Sequence, residues 1–315
     1  MNKYILGIDT SAYTTSMAVV NEKKELLIDE RIALEVKKGR RGLRQSEAIF
    51  QHMKNIPLIY GKISKKINLK KIDKVCCSTK PRNLENSYMP VFLSGLSFGK
   101  VVSATLNIPF EEYSHQEGHI EAAKWSSNAL INDEFIALHI SGGTMEMLKV
   151  VKEKNKYECE IIGGTMDISA GQLIDRIGVM MGLAFPAGKE LDEISKNGVY
   201  GKIKLPLSTK GTYINFSGAE TYTKKIISEG NENIGDIAIS LFDIIYKSLY
   251  KIICSAVSLY GINEILVAGG VASNRFLRDN LYRELNKKGI NIHFCEMEFC
   301  TDNGVGIALL GTYDL

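Results

Sequence analysis

Short apolar runs alternate along this chain with glycine-bearing turns and with stretches in which apolar residues return every three or four positions. Residues 4–8, 16–20 and 25–36 read as three strands, the last two joined by the polar turn Asn21-Glu22-Lys23-Lys24. Between residues 43 and 63 the pattern changes to helical spacing, with Ile49, Met53, Ile56, Ile59, Tyr60 and Ile63 as the apolar face. A strand at 74–78, a polar loop, a helix at 91–106 and an extended segment at 109–114 follow.

After residue 125 the plan begins again. Strands are expected at 135–140, 145–152 and 157–162, helices at 170–181 and 234–260, a strand at 264–268, a helix at 274–288 and a strand at 292–295. The order of three strands, helix, strand, helix, strand thus runs through twice, which predicts a duplicated α/β architecture.

Three glycine-bearing turns fall at equivalent points, each after an apolar strand: Gly7-Ile8-Asp9-Thr10-Ser11, Ser141-Gly142-Gly143-Thr144 and Gly269-Gly270-Val271-Ala272-Ser273-Asn274. Glycine lets backbone N–H groups approach an anion, and a helix N-terminus favours phosphate. None of the turns is a P-loop or the six-residue dinucleotide fingerprint. Together they predict a nucleotide held in a cleft between two lobes. In Asp167-Ile168-Ser169-Ala170-Gly171-Gln172-Leu173-Ile174-Asp175, Asp167 suits a helix cap. Asp175 sits one turn beyond the bare patch at Gly171, where a ribose diol would fit; an exposed Asp beside Arg176 accounts for it equally well.

His115 and His119 stand about one helical turn apart, so a helix here would send both imidazoles from one face toward one cation. The sequence His115-Gln116-Glu117-Gly118-His119 is not H-E-x-x-H, since its Glu is one place late, and this argues against a peptidase. Asp302, in Cys300-Thr301-Asp302-Asn303-Gly304, fits a helix cap by default.

Composition adds bounds. With 315 residues, 45% hydrophobic and 24% charged, the chain reads as a soluble globular protein of about two domains. It shows neither a signal peptide nor an apolar run of about 18 residues, and its six scattered cysteines form no C-x-x-C, so a cytoplasmic location with reduced thiols is expected. A net charge of +3 is too mild to indicate nucleic acid by itself. Basic residues do gather at Lys37, Lys38, Arg40, Arg41 and Arg44 and at Lys80 and Arg82; such runs are usually solvated faces but can meet phosphates.

Taken together, the motifs resemble the TsaD/Gcp/Qri family of tRNA threonylcarbamoyladenosine transferases, within the actin-like ATPase superfamily. The resemblance runs from Gly7 to Gly306 and is carried by His115-x-x-Gly118-His119, Gly269-Gly270-Val271-Ala272-x-Asn274-x-x-Leu277-Arg278 and Cys300-Thr301-Asp302-Asn303-Gly304, with support from Ser141-Gly142-Gly143, Gly171-x-x-x-Asp175 and Phe216-Ser217-Gly218.

The resemblance implies a two-lobed, duplicated ribonuclease H-like fold with lobes at residues 1–125 (completed by 296–315) and 126–295. It further implies one transition metal, Fe or Zn, on His115, His119 and Asp302, bridging to the phosphate of ATP or of an acyl-adenylate. Thr10, Ser141, Gly142, Gly143 and Gly270 would then lie near phosphate, Gly171, Asp175 and Gly188 near ribose, and Asn274 near adenine. The implied reaction passes threonylcarbamoyl from its adenylate to N6 of adenosine in tRNA, with adenine nucleotide, tRNA and a small actin-like protein as partners.

Several positions depart from the family pattern. Ala12-Tyr13 stands for Cys-Asp, Thr144-Met145 follows Ser141-Gly142-Gly143 without the usual His or Asn, and Gln172 replaces a Glu. Phe185-Pro186-Ala187-Gly188-Lys189 stands for Y-P-G-G-P, and Lys80-Pro81-Arg82 with extra residues 83–89 stands for G-P-G. Such drift on the substrate side suits a divergent paralogue. Its alternatives are other carbamoyl-transfer or ATPase chemistry, or a nucleotide-binding scaffold without turnover.

Overall fold

The N-terminal apolar runs form β1 (Tyr4–Thr10), β2 (Thr14–Asn21) and β3 (Leu26–Ala33) in the computed structural model, which describes residues 3–36, 43–129, 131–154 and 156–313. Then come α1 (Gln45–Lys66), β4 (Ile72–Lys80), α2 (Leu93–Leu106), β5 (Phe110–Ser114) and α3 (His115–Ser126). The second series is β6 (Glu134–Ile140), β7 (Met145–Glu153), β8 (Lys156–Thr165), α4 (Ala170–Met180), α5 (Gly188–Ser195), β9 (Ser208–Lys210), β10 (Tyr213–Asn215), α6 (Ser217–Glu229), α7 (Ile234–Tyr260), β11 (Glu264–Ala268), α8 (Arg275–Asn286) and β12 (Asn291–Phe294). A short α9 (Val305–Leu310) closes the chain.

Two compact units result. One comprises Met1–Asn128, Lys152–Glu158 and Thr301–Leu315, the other Ala129–Val151 and Cys159–Cys300. The first sheet has the order β3-β2-β1-β4-β5, and the second β12-β11-β6-β7-β8-β10-β9. The duplication expected from the sequence is present in the topology: β8-β7-β6-β11-β12 repeats β3-β2-β1-β4-β5. In both sheets the first strand pairs antiparallel with the second and parallel with the strand that follows the helical section. The added strands β10 and β9, with α5 and α6, lie between residues 182 and 233, where no long apolar period marked them.

Strand β1 is buried on both faces, which is why it reads as a nearly continuous apolar run. On one face Leu6 and Ile8 join Met17, Val75, Ile56, Ile59, Ile63 and Val102 in a core beneath α1 and α2. On the other, α9 comes so close that a Cβ on Gly7 would overlap the Ala308 nitrogen and the Gly304 carbonyl.

The apolar face of α1 differs from the expected one. Ala48, His52, Ile56, Ile59 and Ile63 are buried, whereas Met53 is 58% exposed. His52 takes the inward place because its ring is fully satisfied there. Its Nε2 donates to the Ser11 carbonyl (2.8 Å) and its Nδ1 meets the Thr15 hydroxyl (2.8 Å). Burial lowers its pKa and keeps the ring neutral. Among the described residues no helix is long and apolar enough to cross a membrane, and none of the six cysteines is in a disulfide. Lys37, Lys38, Arg40 and Arg41 of the basic run lie outside the described residues.

Candidate metal centre

Helix α3 begins at His115 because Ser114 and Glu117 form a capping box: the Ser114 hydroxyl accepts from the Glu117 N–H (3.2 Å) and the Glu117 carboxylate from the Ser114 N–H (2.7 Å). The glutamate between the two histidines is therefore a cap, turned away from any cation they share. Its other oxygen accepts from the Tyr157 N–H.

One turn of helix then brings the imidazoles together. His115 Nε2 and His119 Nε2 lie 3.0 Å apart, and Asp302 Oδ1 is 3.5 Å from the first and 3.4 Å from the second. Donors held at about 2.0–2.1 Å from one tetrahedral ion stand roughly 3.3 Å from each other, so this spacing suits a single metal. Two imidazoles and a carboxylate form the donor set used for Fe(II) or Zn with open positions.

Capping of α9 does not occupy Asp302. Asn303 Oδ1 accepts from the N–H groups of Val305 (3.1 Å) and Gly306 (3.3 Å), while Asp302 Oδ2 accepts from the Ser11 hydroxyl (2.8 Å). Burial alone would raise the Asp302 carboxyl, but the hydrogen bonds from His115 and His119 together with the charges of their rings outweigh it and hold the group well below the usual range.

Asp9 belongs to the first of the three glycine-bearing turns, and no motif assigns it a role. In the structure it is fully buried at the end of β1, and its Oδ1 accepts from Ser78 Oγ (2.5 Å) and from His115 Nδ1 (2.8 Å). A carboxylate on Nδ1 fixes the tautomer that leaves Nε2 free to ligate, the usual support for a metal-bound histidine. Asp9 Oδ2 is buried with no hydrogen-bond partner among the described residues, and a nearby cation would relieve this cost. The only advance signal was a lone carboxylate ending an apolar strand. The residues present thus fit a divalent transition metal, at the C-terminal ends of β1, β4 and β5, where open α/β sheets place ligands.

The remaining candidates divide by environment. Thr10 is fully buried, and its hydroxyl donates to the Val91 carbonyl and accepts from the Gly95 N–H. Ser141 closes a turn with Thr144. A Cβ at Gly142, Gly143 or Gly270 would meet nothing within 4 Å, so packing does not demand glycine there. Gly171 is the opposite case: a Cβ would overlap Gly142 Cα, and the bare patch expected to face a ribose is filled by the 141–142 turn. Asp175 Oδ1 accepts from the Ala187 N–H (2.8 Å), next to Gly188 at the start of α5, and burial raises its pKa.

Asn274 caps α8 through the Leu277 N–H (2.9 Å) and donates to Asp192 (2.5 Å), a carboxylate the sequence reading had passed over. Asp167 does not cap α4. Ser169 and Gln172 form that capping box, and Asp167 instead accepts from the N–H groups of Phe216 and Ser217 at the start of α6. Gln172 performs the capping as a glutamate would.

The sequence profile described as tRNA N6-adenosine threonylcarbamoyltransferase (TsaD) matches residues 27–309. A protein of that name from Thermosipho africanus is 31% identical over 317 residues, covering 98% of this chain and 93% of its own. The one from Kosmotoga olearia is 32% identical over 313 residues, covering 97% and 92%. Among solved structures, the activator of 2-hydroxyisocaproyl-CoA dehydratase from Clostridium difficile superposes with a TM-score of 0.55 at 18% identity, covering 100% of this chain and 95% of its own. A ROK family glucokinase from Streptomyces griseus gives 0.54 at 12%, covering 98% and 99%. Full-length HypF gives 0.63 at 13%, and this chain spans only 46% of its length. These likenesses establish an α/β fold of the actin-like ATPase and sugar-kinase class. The match across nearly the whole sequence establishes more than the fold: the chain belongs to the TsaD family of tRNA N6-adenosine threonylcarbamoyltransferases.

Proposed function

We propose that this protein passes a threonylcarbamoyl group from its adenylate to N6 of adenosine in tRNA, with a metal on His115, His119 and Asp302. Family membership supports the overall reaction, and the observation that carries the metal reading is the convergence of these three donors with Asp9 behind His115. A bound divalent metal would supply Lewis acidity toward phosphate or the activated carbonyl. The protein's own part is to hold the two Nε2 lone pairs on one face of α3, to keep Asp302 ionised, and to fix the His115 tautomer through Asp9.

In this reading an adenine nucleotide or acyl-adenylate lies along Ser141, Gly142, Gly143 and Gly270, with open space where a Cβ on each of these glycines would stand, and with Asp175 and Gly188 toward the ribose and Asn274 toward the adenine. Thr10 holds the end of β1 in place. The basic residues Lys37, Lys38, Arg40, Arg41, Arg44, Lys80 and Arg82 serve tRNA phosphates. A small actin-like partner is supported by Phe50 (61% exposed), Met53 and Leu58 (60% exposed), which leave one side of α1 apolar and open.

The test is transfer from synthetic threonylcarbamoyl-adenylate to an unmodified tRNA transcript. Metal-loaded protein should modify the transcript, and His119→Ala or Asp302→Ala should lower the rate at least about 100-fold. Full activity after exhaustive chelation would overturn the metal reading. Absence of transfer by metal-loaded protein, with its partner supplied, would overturn the reaction.

A further inference from the structure

A cavity of about 270 Å³ lies beside the N-terminus of α3, at the C-terminal ends of β4 and β5, and is lined by Thr79, Lys80, Asn83, Glu112, Glu117 and Lys156 among others. Its charges are unevenly matched. Both carboxylates have partners of their own: Glu112 pairs with Lys100 (3.2 Å), and Glu117 is engaged by Ser114 and the Tyr157 N–H. Neither lysine has a carboxylate within 4.0 Å among the described residues. Two lysines without an ion pair therefore share one cavity, where Lys100 holds Glu112 and the Glu117 charge alone offsets them, a balance that favours an anion between the two.

The backbone beneath both lysines is fixed. Lys80 pairs with Ser114 at the ends of β4 and β5, and the next carbonyl, that of Pro81, accepts from the Gln116 N–H (3.0 Å). Lys156 precedes Tyr157, which is fully buried; its N–H donates to Glu117 and its hydroxyl to Glu121 (2.5 Å). The Asn83 amide adds a neutral donor to the same walls, and beside it the Thr79 hydroxyl donates to the Tyr113 carbonyl (3.5 Å) and would turn from it to reach a ligand. A flexible surface run would not be held this way.

We propose that this cavity is a phosphate site, in which Lys80 and Lys156 clamp one phosphate with Thr79 and Asn83 beside it, and that the phosphate it takes is a backbone phosphate of the RNA substrate. The proposal rests on the RNA reading above and adds to it a defined anchor and the contribution of Lys156. Lysines suit this task as compact point charges that read no base, so the anchor positions the RNA without selecting sequence.

The experiment compares wild type with the Lys80→Gln/Lys156→Gln variant and with Lys287→Gln, whose lysine is paired with Glu284 away from the cavity. Affinity for an unmodified tRNA transcript is measured from low to high salt, and inorganic phosphate binding is followed by ³¹P line broadening. In the double variant the slope of log affinity against log salt should fall by about 1 to 2, affinity at low salt by about tenfold or more, and phosphate broadening should vanish. Lys287→Gln should change none of these. Loss of phosphate binding with an unchanged salt slope would keep the anion site but overturn RNA as its source. If both readouts match wild type, the site itself is overturned. Should wild type fail to bind tRNA at all, the RNA reading falls, and the phosphate measurement alone decides the cavity.

Discussion

Alanine at Gly306 is expected to destabilise the N-terminal unit by more than about 3 kcal/mol, beyond the usual cost of overpacking, because the collision is with backbone. In α9 this glycine lies against α3, where its Cβ would overlap the carbonyl of Gly118 and come 3.0 Å from the Ala122 nitrogen. Neither obstacle can change rotamer. Gly118 faces the same seam, 2.8 Å from Ile307 Cδ1 for a Cβ built there, so the two helices meet through paired glycines. Against a typical stability of about 5–15 kcal/mol, that loss should lower the unfolding midpoint by roughly 10 °C or prevent folding. The strain also bears on the proposed metal donors, because Gly118 stands between His115 and His119. Calorimetry checks it, with Gly142→Ala as the control, where open space predicts a change within about 0.5 kcal/mol. A Gly306→Ala midpoint equal to that of Gly142→Ala would show that α3 and α9 can slide apart at little cost.

The outcomes at individual residues show which physics a sequence carries. Period and turn chemistry carry far: the doubled strand order follows from local pattern, whereas the helix at the histidine pair was only a condition of their sharing a cation. Asp302 did not declare its role, because a carboxylate before a helix fits a cap and a ligand equally well. The neighbouring Asn303 accepts from the Val305 and Gly306 N–H groups, which leaves Asp302 out of the capping. Asp9 and His52 were missed for one reason. Each is a polar residue inside an apolar stretch whose partner is more than thirty positions away, so no spacing rule reaches it. Gly171 illustrates the reverse: a glycine suggests a close approach, but the sequence does not name the approaching group, and here it is the chain's own turn. Residues 182–233 stayed blank because short elements such as β9 and β10 carry too few positions for a period.

Metal uptake should rise steeply with pH, and Asp9→Asn should flatten that rise. Burial works against a charged His115 ring, but the Asp9 charge and the hydrogen bonds to Asp302 and Asp9 outweigh it and raise its pKa to about 10. In the metal-free protein the folded value lies above the ordinary 6.5, so the protonated ring adds stability that is whole below pH 6.5 and is lost as pH climbs through about 10. The Asp302 contribution has the opposite sense: its pKa is depressed, so it is present above the ordinary 3.8 and disappears only in acid. A metal takes only the unprotonated imidazole and must displace this proton. The metal-free unfolding midpoint should therefore fall between pH 6.5 and 10, while affinity for Co²⁺, followed by its visible absorption, increases by up to about tenfold per pH unit. In Asp9→Asn an amide oxygen can still accept from Nδ1, but the largest influence holding the proton is gone. Proton release then moves down toward neutral pH, and the affinity gained between pH 7 and 9 should shrink to a few-fold. An equally steep rise in the variant would mean that Asp302, and not Asp9, supplies the charge that holds the proton on His115.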